Sequence, residues 1–129
     1  MSAYGFYGAQ LRFVAARTDR TSPDISDMME ALEIFAEQVE ASSTFEVPGD
    51  MCRITGRALA GVAGFLQQHI LPETVAAGNP VAERQVRWVI DASMGLTATL
   101  TVHAETAVDD GKGATPCPVT LPEPPDADV

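Results

Sequence analysis

The stretch LTATLTVHAE, residues 96–105, decides what kind of fold this chain adopts. Polar and apolar residues alternate along it, with Thr97, Thr99, Thr101 and His103 on one side. A period of two rich in threonine is the pattern of a half-buried strand. Yet the same residues extend a helical stripe that starts upstream, through Ala82, Val86, Val89, Ile90, Ser93, Thr97 and Leu100. A strand also needs a partner, and the segments on offer (11–14, 44–47 and 119–121) are short and poorly patterned. The expected fold is therefore all-α, an antiparallel four-helix bundle. The alternative is α+β, with 96–105 as a strand.

Working back from that stretch, Asn79 and Pro80 form a helix start, because proline suits the first turn and the preceding side chain can cap it. Gly78 is a natural stop and Pro72 ends or interrupts the helix before it. That third helix begins near residue 49 or 50 and runs to about residue 71. Gly56, Ala60 and Gly64 recur every four residues in it, which predicts a narrow side open to close helix approach.

The second helix is the most strongly patterned. Ser22 and Pro23 open it, the serine hydroxyl being suited to cap free amides, and it extends over residues 24–42. Asp24 and Asp27 sit near the positive end of its dipole. Ile25, Met28, Leu32, Phe35 and Val39 share one arc. Asp27, Glu30, Glu33, Glu37 and Glu40 share another, with Ile34 stranded among them. Nine acids and one base between Asp19 and Asp50 give this window a charge of −8, against −10 for the whole chain. The first helix, over residues 3–17, sets Tyr4, Tyr7, Leu11 and Val14 on one stripe, with Phe6 and Phe13 beside it. Four of the seven Phe and Tyr residues lie there, so this end must be buried.

In the other direction the composition changes after residue 106. Asp109, Asp110, Gly111 and Gly113 break structure, and five prolines follow between Pro116 and Pro125. The organisation expected is a helical domain, 1–106, and an extended acidic proline-rich tail, 107–129, mobile unless it docks on the bundle.

The totals narrow the function. At 129 residues and 46% hydrophobic, the chain can bury a core, and 6% aromatic content makes that core one of small aliphatics. Eight bases against eighteen acids disfavour direct binding to nucleic acid or to anionic membranes, since neither has a basic surface to neutralise it. No basic stretch precedes an apolar run as in a signal peptide, and the apolar run 58–66 is too short to span a bilayer. The expected compartment is the cytoplasm.

Candidate chemistry is sparse. Cys52 and Cys117 lack metal or redox spacing. Cys52 falls on the apolar side of its helix as an inert thiol, and Cys117, between Pro116 and Pro118, reads as accessible. His69 falls on an apolar arc with Met51, Val62 and Phe65, and His103 near a helix end. Arg53 and Arg57 are placed to pair with the acidic second helix, as are Arg84 and Arg87. No catalytic residue, metal or cofactor is assigned.

Glu37 and Glu40 resemble the Glu-x-x-Glu pair of all-α nucleotide pyrophosphohydrolases of the MazG type, whose second Glu-x-x-Asp pair would fall on Glu46 and Asp50. Those two are four apart and straddle Pro48 and Gly49, a departure from that pattern. The resemblance implies a Mg²⁺-dependent hydrolase. A third possibility is an acidic decoy that occupies a nucleic-acid-binding protein.

The reading that best fits the chain is a small non-catalytic protein-binding module, an adaptor, assembly chaperone or inhibitor. Its contact residues would be Asp27, Glu30, Glu33, Glu37, Glu40 and Trp88. Its partner would be a protein with a basic surface, and the chain itself a homodimer.

Overall fold

The computed structural model describes residues 3–109 and 115–125. It is mostly helical, with one small antiparallel sheet. Helix α1 spans Ala3–Arg17 and α2 Pro23–Ala41; strand β1, Thr44–Val47, leads through a 3₁₀ turn, Gly49–Met51, into α3, Cys52–Phe65. A π turn, Leu66–Ile70, joins α3 to α4, Leu71–Ala76; α5 spans Pro80–Asp109 and β2 Cys117–Thr120.

The stretch 96–105 is helical throughout, as part of α5. Its threonines fit because their hydroxyls bond back along the helix. Thr97 donates to the Ser93 carbonyl at 2.9 Å and Thr99 to that of Gly95 at 3.1 Å. Thr106, beyond the stretch, donates to the Val102 carbonyl at 2.9 Å. This back-bonding satisfies a polar side chain without a ladder. Thr97 also reaches the Gly56 carbonyl of α3 at 2.9 Å, tying the two helices together.

Two of the three segments set aside as weak strand partners pair with each other instead, and the third, 11–14, lies in α1. Phe45 lies opposite Val119 and Val47 opposite Cys117, and the Leu121 amide extends the ladder to the Ser43 carbonyl at 2.9 Å. Pro118, which has no N–H to give, is tolerated because each strand of a pair has a free edge. Cys117, Val119 and Leu121 point inward while Pro118 and Thr120 face out. The segment after residue 114 thus docks on the helices.

Packing follows chain order. Arg12 meets Glu40 and Arg20 meets Glu33, so α2 runs back along α1. The most extensive contact is α3 on α5. A Cβ at Gly56 would lie 3.3 Å from Thr101 Oγ1 and 3.4 Å from the Thr97 carbonyl, so glycine there sets the interhelical distance. Gly64 has open space instead, and Ala60 is exposed. A four-residue repeat drifts by about 40° per step on a 3.6-residue helix, so only its first member faces α5.

Tyr7, Leu11, Leu32, Phe35, Leu59, Val62, Val89 and Leu100 make the centre of the core. Within it the Tyr7 hydroxyl and Ser93 Oγ share a buried hydrogen bond of 2.9 Å.

Helix ends show two differences from expectation. Ser22 is extended at the start of α2 but its hydroxyl caps nothing; its carbonyl accepts from the Ser26 amide. Asn79 does cap, accepting from the Ala82 amide at 3.1 Å, and Gly78 supplies the left-handed turn before it (φ 70°). Pro72 does not end the helix. The Leu71 amide bonds to the Leu66 carbonyl, five residues back, and the widened turn carries the chain past the proline. That extra residue rotates the following side chains by roughly 100°. His69 is consequently exposed, its ring 5.1 Å from that of Phe65, and not on the apolar arc.

Among the described residues no helix is long and apolar enough to cross a membrane.

Candidate functional site

The acidic arc of α2 lies in the open: Asp27, Glu30, Glu33, Glu37 and Glu40 are all exposed. Two already have partners on α1 and the loop after it. Arg12 donates to Glu40 through Nη2 at 2.7 Å and Nε at 3.2 Å, and Arg20 lies 3.2 Å from Glu33. The Arg12 guanidinium holds the Glu40 carboxyl below its ordinary pKa, and Glu40 in turn raises that of Arg12. These arginines, and not Arg53 and Arg57, make the ion pairs to α2 among the described residues. Arg53 and Arg57 line a groove with Asp24, Asp27 and Asp50, a mixed-charge surface of about 240 Å³. Arg87 pairs with Glu83 on its own helix.

Glu30, Glu33 and Glu37 surround Ile34 at helical spacings of four, one and three residues, and Ile34 is 46% exposed. Carboxylate-bearing residues thus flank Ile34 on one side, and on the other it borders a groove with Phe35, Val47, Pro48 and Met51.

Trp88 is half-buried. Its ring packs 5.5 Å from Tyr7, edge to face, and 6.0 Å from Tyr4. Its Nε1 is buried with no hydrogen-bond partner among the described residues. The ring borders a groove of about 330 Å³ shared with Asp91, Gly95, Thr99, Thr120 and Pro122. The N-terminal aromatics thus pack against Trp88, and the end of β2 and the segment after it line the same groove.

The carboxylates of the hydrolase resemblance do not converge. Glu37 and Glu40 lie on α2, Glu46 on β1 and Asp50 in the 3₁₀ turn. Among the described residues the one group of three or more metal-capable side chains whose ligand atoms come together is Cys52, His103 and Cys117, all within 4.8 Å of one another.

This cluster comes from three elements. Cys52 opens α3, where the 3₁₀ turn after Pro48 folds it back under β1. Its thiol faces the Pro48 carbonyl at 3.4 Å and the Val47 carbonyl at 3.7 Å. Cys117 opens β2 directly opposite Val47. Contrary to expectation it is buried, 2% exposed, because the flanking prolines hold a strand and not a loose tail. Burial pushes the Cys52 thiol up to about 11 and that of Cys117 in the same direction, so both are protonated at neutral pH.

His103, on α5, has Nε2 2.8 Å from the Thr115 carbonyl. A carbonyl only accepts, so Nε2 carries the proton and Nδ1 of the neutral ring keeps its lone pair. Beside it a cavity of about 570 Å³ opens between α5 and β2, lined by Ala98, Thr99, Val102, His103, Thr106, Cys117 and Pro118.

Sequence reading missed this cluster because its members stand at positions 52, 103 and 117, with no local spacing to reveal them. The signal available was the alternation Cys117, Val119, Leu121, which marks an inward strand face. No protein-family model, no curated protein and no solved structure matches this chain.

Proposed function

We propose that this chain is a non-catalytic protein-binding module, an adaptor, assembly chaperone or inhibitor working in the cytoplasm. The exposed face of α2 receives a partner with a basic surface. The observation that carries this reading is Ile34, 46% exposed, with Glu30, Glu33 and Glu37 at neighbouring helical positions and an apolar groove of Phe35, Val47 and Met51 on its other side. Charge at the rim speeds encounter and selects the partner, while the apolar centre slows its release. Asp27 and Glu40 extend the rim, and Trp88 is a subsidiary contact at the groove it borders.

Self-association belongs to the same reading. Residues 92–102 of α5 carry no charged side chain, and Met94 and Val102 there are 53% and 61% exposed. Two chains of charge −10 need such a neutral strip to meet.

The test is affinity capture from the native cell with the full chain, followed by identification of bound proteins at low and high salt. One stoichiometric partner, released by salt and lost with Ile34→Asp and with Glu30→Lys/Glu37→Lys, is the expected outcome. Recovery of the bait alone, or a partner indifferent to these changes, overturns it.

A further inference from the structure

The convergence of two thiols and an imidazole on one point has no role in the partner face of α2 and stands independently of it, although the groove beside it shares Ala98, Thr99 and Val102 with the self-association strip. The geometry points to a three-ligand binding site for a thiophilic d¹⁰ cation, Zn²⁺ or Cu⁺, made by Cys52, Cys117 and His103. Its open coordination position is supplied from the cavity beside α5.

Donor type is the first argument. Thiolate and imidazole together select zinc and copper over the hard cations, which take oxygen. A pair of cysteines alone is equally a disulfide precursor. The third donor has no place in a disulfide and completes a metal set.

Distance is the second. In a tetrahedral zinc centre sulfur stands about 2.3 Å and nitrogen about 2.0 Å from the metal, which puts neighbouring donors roughly 3.5–3.8 Å apart. The three donor atoms lie within 4.8 Å of one another. Closing on a cation therefore asks each pair of donors to approach by roughly 1.3 Å at most, a change within reach of side-chain rotation.

Support around the ligands is the third. The Thr115 carbonyl holds the His103 ring beside β2 through Nε2 at 2.8 Å, and with that nitrogen protonated Nδ1 is the one free to take a cation. The cavity reaches His103 and Cys117, giving an entry path and room for a water or a small ligand as fourth donor. Loading is balanced in charge. Each S–H bond breaks as an S–metal bond forms, and the two protons leave to solvent. With Zn²⁺ the buried centre then carries no net charge, which removes the main cost of burying thiolates.

The experiment uses the full chain, reduced and stripped of metal, titrated with Zn²⁺ against a chromogenic chelator and, under reducing conditions, with Cu⁺. Mg²⁺ serves as the control. The expected result is one Zn²⁺ or one Cu⁺ per chain, with no response to Mg²⁺, and the arm that competes better names the cation. Cys52→Ser and Cys117→Ser should each weaken uptake at least tenfold, and His103→Ala by a similar factor.

In the unmodified chain the metal should protect both thiols from alkylation followed until the metal-free chain is fully labelled, a readout that does not depend on the variants folding. Failure of both cations to bind the reduced chain overturns the site. So does equal uptake by Cys52→Ser/Cys117→Ser, or unchanged alkylation in the presence of metal.

Discussion

Gly56 and Gly64 lie on the same helix with opposite surroundings, and a single methyl group separates their consequences. At Gly56 a side chain would press on Thr101 and on the backbone of Thr97. Gly56→Val is expected to push α3 from α5 and lower stability by about 1–3 kcal/mol. Gly64→Ala meets nothing, so it should raise stability by about 0.5–1 kcal/mol through helix propensity alone. Urea unfolding of both variants checks the pair, and equal effects would refute the close approach.

Cys52 gives a pH dependence. Its thiol keeps its proton to about pH 11, above the ordinary value of 9.0 that it regains on unfolding. Between those values the native state binds more protons than the unfolded state, so stability falls as pH rises through that window. The contribution is complete below pH 9. In the metal-free chain, alkylation of Cys52 should be slow at pH 8 and faster toward pH 11, followed by mass spectrometry. Fast labelling at pH 8 would mean that the thiol is not buried.

At the scale of elements, the starts of α2 and α5 were legible because Ser22–Pro23 and Asn79–Pro80 are local signals. So was the inward stripe of α2, where Leu32, Phe35 and Val39 are buried as their spacing requires. The stretch 96–105 stayed ambiguous because threonine suits a strand by shape and a helix by back-bonding, and only the neighbouring α3 backbone decides. The π turn was invisible, since its phase shift falls on the polar residues Gln67, Gln68 and His69, where no apolar spacing registers it, and it misplaced His69. The sheet was missed because a four-residue strand among prolines gives little pattern by itself, and the position of Cys117 was lost with it.

That sheet bears on stability out of proportion to its length, because Cys117, Val119 and Leu121 close the core over Val47 and Cys52. Val119→Ala should cost about 1–3 kcal/mol, measured by denaturant. Thr120→Ala, on the outer face, should stay within about 0.5 kcal/mol. Equal sensitivity at the two positions would mean that the strand is not docked.

For the whole molecule the governing quantities are a charge of −10 and the uncharged strip on α5. If two copies meet along that strip, sedimentation should report a dimer that salt strengthens, since screening relieves repulsion between like-charged chains. Val102→Glu should return it to monomer with the helical content unchanged. A monomer at all salt concentrations would remove self-association from the functional reading.

The pairing of β1 with β2 also sets a timetable for synthesis. Residues 44–47 leave the ribosome some seventy residues before the strand that completes them. Until residue 121 emerges, Val47 and Cys52 stay uncovered and the helices assemble around an unfinished wall. A chain interrupted anywhere before that point presents an open apolar seam to proteases and chaperones. The wall formed by β1 thus gains its cover only when residues 117–121 have been made.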